Sequence, residues 1–432
     1  MSQTATPQAA PPPPPPSAAV AAPVPVPATT AVAQAEPSYV DTPALLNRWQ
    51  LIGMSVAIVF GLVSALVQFV GWQADGRAAA DTEQLVRIQK IQASLLNADA
   101  LSTNAFLVGG LENTEQREQY DASIASALTE IAAAAEAQQA DQKLLAELNQ
   151  QVNDYVANIA QARANNRQGF PVGAAYQNLA SDQLRAEATP RLEALVKANN
   201  DRAEDAMGGQ HPFWLLGLGI LALAALWWLN RELAQAFRRR INKGVAIGAA
   251  IVAGVTLVTV AGAWIRDSSN DSLRDGAFAD AVSAATARTA ANDAKANESL
   301  RLIKRGSGAA NETEWEQKAQ VVDKNAPDQL LGDWSTYTDR HAQIVKLDTD
   351  NDWEGAVRLA TTADKKTGST VPFEDFDKAL EGAIKKDSDK AVDDLSSGRW
   401  LALVLSGLTV LLGVGAAISV ARGIGVRRRE FS

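Results

Sequence analysis

Four stretches without a single charged side chain, residues 51–70, 213–229, 244–265 and 400–420, constrain this chain more than any other feature. A helix needs about 17–25 apolar residues to cross the hydrocarbon core of a bilayer, and the stretches, 17 to 22 residues long, supply them. Trp49, Trp72, Trp214, Trp227, Trp228, Trp264 and Trp400 stand at or near their ends, where an aromatic belt forms at the membrane interface. An apolar surface on this scale is incompatible with an ordinary soluble domain, so the chain reads as a four-span membrane protein.

Basic residues set the expected orientation. The connection 230–243 carries Arg231, Arg238, Arg239, Arg240 and Lys243 against Glu232, and the tail 421–432 carries Arg422, Arg427, Arg428 and Arg429 against Glu430. The positive-inside rule makes both cytoplasmic, which predicts a multi-pass plasma-membrane protein with both termini inside and the loops 73–212 and 266–399 outside. Those loops hold 19 acids against 11 bases and 26 against 19, so the net charge of −9 conceals strongly acidic loops and basic inner segments. The first span, residues 49–72 with its flanks, reads as an anchor in preference to a cleaved leader, because its apolar run and the 48 residues before it are both long for one. Residues 1–48 are Pro/Ala-rich, with a six-proline run at 11–16, and read as a disordered cytoplasmic arm.

The order span, long loop, span occurs twice, with an offset near 190 residues. "LVGGLENTEQREQ" (107–119) is echoed by "IKRGSGAANETEWEQ" (303–317), and "AAYQNLAS" (174–181) by "GAVRLATT" (355–362). Pro190 and Pro372 each precede the last helix of a loop. Within the first loop Leu85, Ile88, Ile91 and Leu95 line one helical face, continuing out of the first span to a glycine stop at Gly109 and Gly110. Asn113 and Gln116 form the capping pair of a second helix, and Leu144, Leu148, Val152, Tyr155 and Ile159 mark a third. After a break at 169–173, a last helix through Leu192 and Leu195 leads to the second span. The expected fold is all-α: four transmembrane helices carrying two extracytoplasmic four-helix-bundle-like sensor domains in tandem repeat. The spans 213–229, 244–265 and 400–420 join these bundles to the inner segments.

Two groups of residues are candidates for recognition. "NADALSTN" (97–104) is unusually polar for a bundle helix: Asp99, Ser102, Thr103 and Phe106 share a face, with Asn104 at its edge. A recognition patch, a solvated face and buried interhelical hydrogen bonds all fit this pattern. In the second loop Trp334, Tyr337, His341 and Ile344 form one stripe, and aromatics at that spacing usually fill a bundle core. Trp353 follows within "DTDNDWEG" (348–355), whose alternating carboxylates imitate a calcium loop. Position 6 of that loop is Trp353 instead of glycine, and position 12 is Leu359 instead of glutamate, so the stretch reads as a turn with Asn351 capping the next helix.

The chain has no cysteine and only two histidines, His211 and His341, and it carries no nucleotide-binding loop, kinase signature or zinc-hydrolase motif. No enzyme, cofactor, metal site or nucleic-acid partner is expected. Spans free of ionisable groups argue against a carrier or channel. Small residues at Ala57, Gly61 and Ala65 suit helix packing and association, a homo-oligomer included. Inner segments this small require a signal to leave through a partner. Arg238, Arg239, Arg240, Arg427, Arg428 and Arg429 are the candidate output surface, with topology anchoring as their plainer role.

"ADALSTNAFLVGGLE" (98–112) and "DWSTYTDRHAQIVKLDTDNDWEGAVRLAT" (333–361), with the tandem topology, the proline-rich arm and the arginine triplets, resemble the GlnX-type actinobacterial membrane proteins. The resemblance implies an extracytoplasmic solute-binding lipoprotein of the GlnH type as input, a cytosolic Ser/Thr kinase of the PknG type as output, and acidic amino acids as the ligand class, adjusting carbon and nitrogen metabolism. Two other functions compete with that relay. One is direct binding of a small ligand by the bundles, and the other is a structural scaffold in an envelope or secretion complex.

Overall fold

The computed structural model describes residues 42–109, 113–237 and 241–428. Among them there is no strand, and four helices are long and apolar enough to cross a membrane. Helix α1 (Thr42–Val108) runs unbroken for 67 residues, from the first apolar stretch to the far tip of a polar head. It stops at Gly109, whose φ of +68° is the left-handed conformation that a helix-ending glycine adopts freely. The head continues with α2 (Thr114–Ala137), α3 (Gln142–Arg167), α4 (Val172–Gln183) and α5 (Thr189–Met207), after which α6 (Pro212–Phe237) is the second apolar helix. The second half repeats the order. Helix α7 (Lys243–Leu273) leads into α8 (Ala279–Ile303), then α9 (Ala309–Asn325), α10 (Leu331–Thr349), the short α11 (Trp353–Thr361), α12 (Thr370–Ser396) and the last apolar helix α13 (Arg399–Arg428).

Each half of the head buries its own apolar stripe. Ile88, Ile91, Leu95, Leu145, Leu148 and Ile159 fill the first, joining α1, α3 and the neighbouring α2 and α5. Trp334, Tyr337, Phe373, Phe376 and Leu380 fill the second against the alanine-rich face of α8. The halves are not separate beads. Alanines leave α8 narrow enough for α1 to lie beside it, and Leu107 at the tip of α1 packs among Leu302, Ile344, Ala356 and Ala360 of the second half.

The apolar helices pack through small residues. The expected stripe on α1 meets α13: Gly61 lies so close to Gly413 that a Cβ on either would strike the other's backbone, and Ser406 Oγ donates to the Ala65 carbonyl at 2.9 Å. Gln68 Nε2 donates to Thr409 Oγ1 across the same pair. Helix α13 also meets α7 through Gly423 and Gly244, and α6 meets α7 where Thr256 covers Gly219.

Three local expectations need correction. Asn113 does cap α2, accepting from the Glu115 N–H, but Gln116 does not complete the capping pair; its amide donates to Asn104 Oδ1 at 2.9 Å. The cap of α11 is Asp352, which accepts from the Gly355 N–H, while Asn351 takes the left-handed turn at φ +66°. Pro190 does not open a separate helix. It sits in the first turn of α5, and because it has no N–H to donate back into the helix, the chain from α4 passes through one wide π-helical turn at Leu184–Ala188 and continues.

Candidate functional site

The π turn before Pro190 presents Arg185 to the seam between the two halves of the head. Arg185 Nη1 donates to Asp99 Oδ2 on α1 at 2.8 Å, and its Nε donates to Asp293 Oδ1 on α8 at 2.9 Å. Lys318 of α9 reaches the other oxygen of Asp293 at 3.1 Å. One guanidinium thus bridges a carboxylate from each half. Asp99 is fully buried, and its remaining oxygen accepts from Ser181 Oγ at 2.6 Å and Tyr155 Oη at 3.3 Å. Burial alone would push the Asp293 carboxyl up; the charges of Arg185 and Lys318 outweigh it and hold it below the ordinary carboxylate range.

A second bridge lies one to two turns nearer the tip. Asn104 Nδ2 donates to the carbonyl of Ala360 at 2.9 Å, and Lys295 Nζ of α8 donates to the same carbonyl at 3.3 Å. Lys295 also donates to Ser369 Oγ (2.8 Å) and pairs with Glu298 Oε1 (2.6 Å). Glu298 is completely buried. Desolvation raises its pKa, but Lys295 and the hydrogen bond from His341 override it and bring the carboxyl down to about 2. His341 Nδ1 meets Glu298 Oε2 at 2.9 Å, its Nε2 meets Glu312 Oε1 at 3.3 Å, and its ring stacks on Trp315 at 3.6 Å. Burial lowers the imidazole pKa, and the two carboxylates more than reverse that. Arg301 closes the cluster by pairing with Glu312 and with Asp348.

The structure places the head's sequence candidates in two separate groups, most of them buried. Asp99, Ser102, Thr103 and Asn104 are all buried. Ser102 is hydrogen-bonded to Tyr155 and Gln177, and Thr103 donates back to the Asp99 carbonyl. Phe106 is half-buried, and its carbonyl accepts from Asn166. Trp334 and Tyr337 are core, His341 belongs to the buried ion cluster, and Trp353 donates from its indole to the Leu302 carbonyl beneath Arg305. Asp348, the first carboxylate of the calcium-like stretch, serves Arg301. Arg238–Arg240 and Arg429 lie outside the described residues; Arg427 and Arg428 end α13, with side chains outside the description.

Sequence reasoning missed Arg185, Asp293, Lys295, Glu298 and Ser369. A signal existed for three of them: charged residues at 293, 295 and 298 interrupt the alanines of "ARTAANDAKANESL", and a repeat offset near 190 puts Asp293 close to opposite Asp99. At the base of the head a third polar knot ties the segments that lead into all four apolar helices. Asp75 of α1 accepts from Arg266 Nε (2.8 Å) and Asn270 Nδ2 (3.1 Å) of α7 and from Gln210 Nε2 (3.1 Å), and Arg266 reaches the Leu395 carbonyl of α12.

No curated protein and no solved structure matches the chain. A family model does: residues 74–208, the first half of the head, match the actinobacterial sensor domain. Residues 74–208 are thus similar to an actinobacterial sensor domain, and Arg185, together with Asn104 and Lys295 at the Ala360 carbonyl, joins that stretch to a second helical half above helices long and apolar enough to span a membrane.

Proposed function

We propose that this protein is a transmembrane signal relay. In this reading the head is extracytoplasmic, both termini are cytoplasmic, and a liganded solute-binding lipoprotein of the GlnH type engages the head. The resulting shift moves the arginine-rich inner segments against a Ser/Thr kinase of the PknG type, with acidic amino acids as the external ligand and carbon and nitrogen metabolism as the target. The observation that supports it best is the helix continuity between head and apolar bundle: α1 has no break at all, and only Ser397 and Gly398 separate α12 from α13. Displacements of packed helices are a common way for sensors to carry information across a bilayer. The sensor-domain match supports the input side of the reading.

The test is kinase-substrate phosphorylation in cells supplied with aspartate or glutamate. The wild-type chain is expected to give a response that is lost on its deletion and on neutralising Arg238–Arg240 together with Arg427–Arg429, with correct insertion confirmed by protease protection. A response that survives deletion overturns the relay; one that survives the arginine changes removes the output role from those residues.

A second reading, direct ligand binding, draws support from clefts of about 610 and 500 Å³ on either side of the α1–α8 seam. Gln89, almost fully buried beside the larger one, has an Oε1 with no hydrogen-bond partner. Calorimetry of aspartate and glutamate against the purified full chain, with and without the lipoprotein, separates the two readings.

A further inference from the structure

The apolar bundle is closed at one end and open at the other. Helices α7 and α13 run antiparallel, and at the end away from the head they touch through glycine: Gly244 lies against Gly423, and Gly248 against Val420 and the Ala416 carbonyl. On the head side the same two helices part. A cavity of about 340 Å³ opens there, walled by Val67, Leu215, Val258, Leu401 and Leu405 and closed above by the Asp75–Arg266 pair. Three of its lining residues, Val258, Ile265 and Leu401, remain 58, 73 and 48% exposed, so the cavity opens sideways through the apolar surface of the bundle. That side opening is flanked by the apolar side chains of α7 and α13.

The chemistry at the mouth is different. Trp72 lines the cavity, and Arg399, just outside the lining, lays its guanidinium over that ring at 5.1 Å and against Gly76. Arg266 has a carboxylate partner, but Arg399 has none among the described residues, and its buried Nε donates to nothing. A half-buried arginine without an acid, at the level where four apolar helices meet a polar head, lacks the oxygen acceptors that its planar fork is shaped to hold. Gln210 and His211 stand at the same rim.

We propose that this cavity is a lipid site: one acyl chain of an anionic phospholipid fills the gap between α7 and α13, and its phosphate accepts hydrogen bonds from Arg399. An apolar slot opening to the side, with an unmatched cation at its interfacial end, has the division of chemistry found in such a lipid. The proposal stands independently of the relay, because binding is read on the purified protein whatever signal it carries. The lipid would sit directly beneath the Asp75 knot, at the point where the segments leading into all four apolar helices are tied.

Photoactivatable phosphatidylglycerol, with its label on the acyl chain, tests this in phosphatidylcholine vesicles holding the full-length chain. Label is expected on peptides covering 258–266 and 398–405. Arg399→Gln should lower it by about tenfold, the worth of one charge-assisted contact, and Arg399→Lys should keep most of it. Gly262 lines the cavity and a Cβ there meets nothing within 4 Å, so Gly262→Leu should fill the slot without disturbing the helices and abolish the label. Equal labelling by a phosphatidylcholine analogue, or label unchanged in both Arg399→Gln and Gly262→Leu, overturns the proposal. So does loss of label on adding inorganic phosphate, which would mean a surface anion site without an acyl slot.

Discussion

The buried cluster around His341 balances its charge in only one protonation state. Lys295, Arg301 and protonated His341 face Glu298, Glu312 and Asp348, with Tyr337 beneath Lys295. Deprotonating the imidazole leaves one uncompensated negative charge in the interior. Because the folded His341 pKa lies above its ordinary value of 6.5, its contribution is complete below that value and is lost as pH rises through the raised one. Glu298 works in the opposite sense: its contribution is complete above 4.5 and is lost as pH falls through about 2. Thermal unfolding of the purified chain should therefore show a plateau between these limits and a fall on the alkaline side, and His341→Gln should flatten that alkaline fall. Glu298→Ala should cost about 3–5 kcal/mol, since it strands Lys295 and His341 inside; a loss near zero in denaturant unfolding would mean that the cluster is hydrated. Of these six groups the sequence singles out His341 within a core stripe and Asp348 within a turn, and it marks Lys295 and Glu298 only as charges among alanines, without pairing any of them. Its partners lie 29 to 43 positions away, at a range where periodicity carries no pairing information.

Helix existence and order are local properties, and the sequence reveals them well, because apolar length and glycine or proline punctuation act within a few residues of themselves. Packing between helices is less legible. The stripe of Ala57, Gly61 and Ala65 announces a close contact without naming α13 as the partner. Gly61→Leu should force α1 and α13 apart, at a cost of about 1–3 kcal/mol for overpacking. The chain contains no cysteine, so cysteine pairs introduced across α1 and α13 would crosslink without background, and that crosslink should disappear in the Gly61→Leu protein. The π turn at Leu184–Ala188 was invisible beforehand for a different reason. Proline inside a helical pattern normally marks a boundary, and only the seam, by engaging Arg185 on two sides, makes a widened turn preferable to a break.

At the scale of the whole molecule, the two halves of the head act as one body, because Arg185 and the Ala360 carbonyl each bind both of them. Asp75→Ala would release Arg266, Asn270 and Gln210 together; an expected loss of about 3 kcal/mol in stability should come with a head that still folds but no longer moves with the bundle beneath it. Spin labels on α5 and α12 near the membrane would register that uncoupling as broadened distances. The fold class was legible from four uncharged stretches, whereas the seam was not, since it depends on contacts between residues 86 and 108 positions apart. The unbroken course of α1 has a last consequence. A rod of 67 residues is also a screw: each residue added between Trp72 and Asp99 turns the distal half by about 100° relative to the proximal half, while seven added residues return it to within about 20°. Insertions there should harm the protein according to their phase and not their length, so α1 keeps angular time for everything that hangs from it.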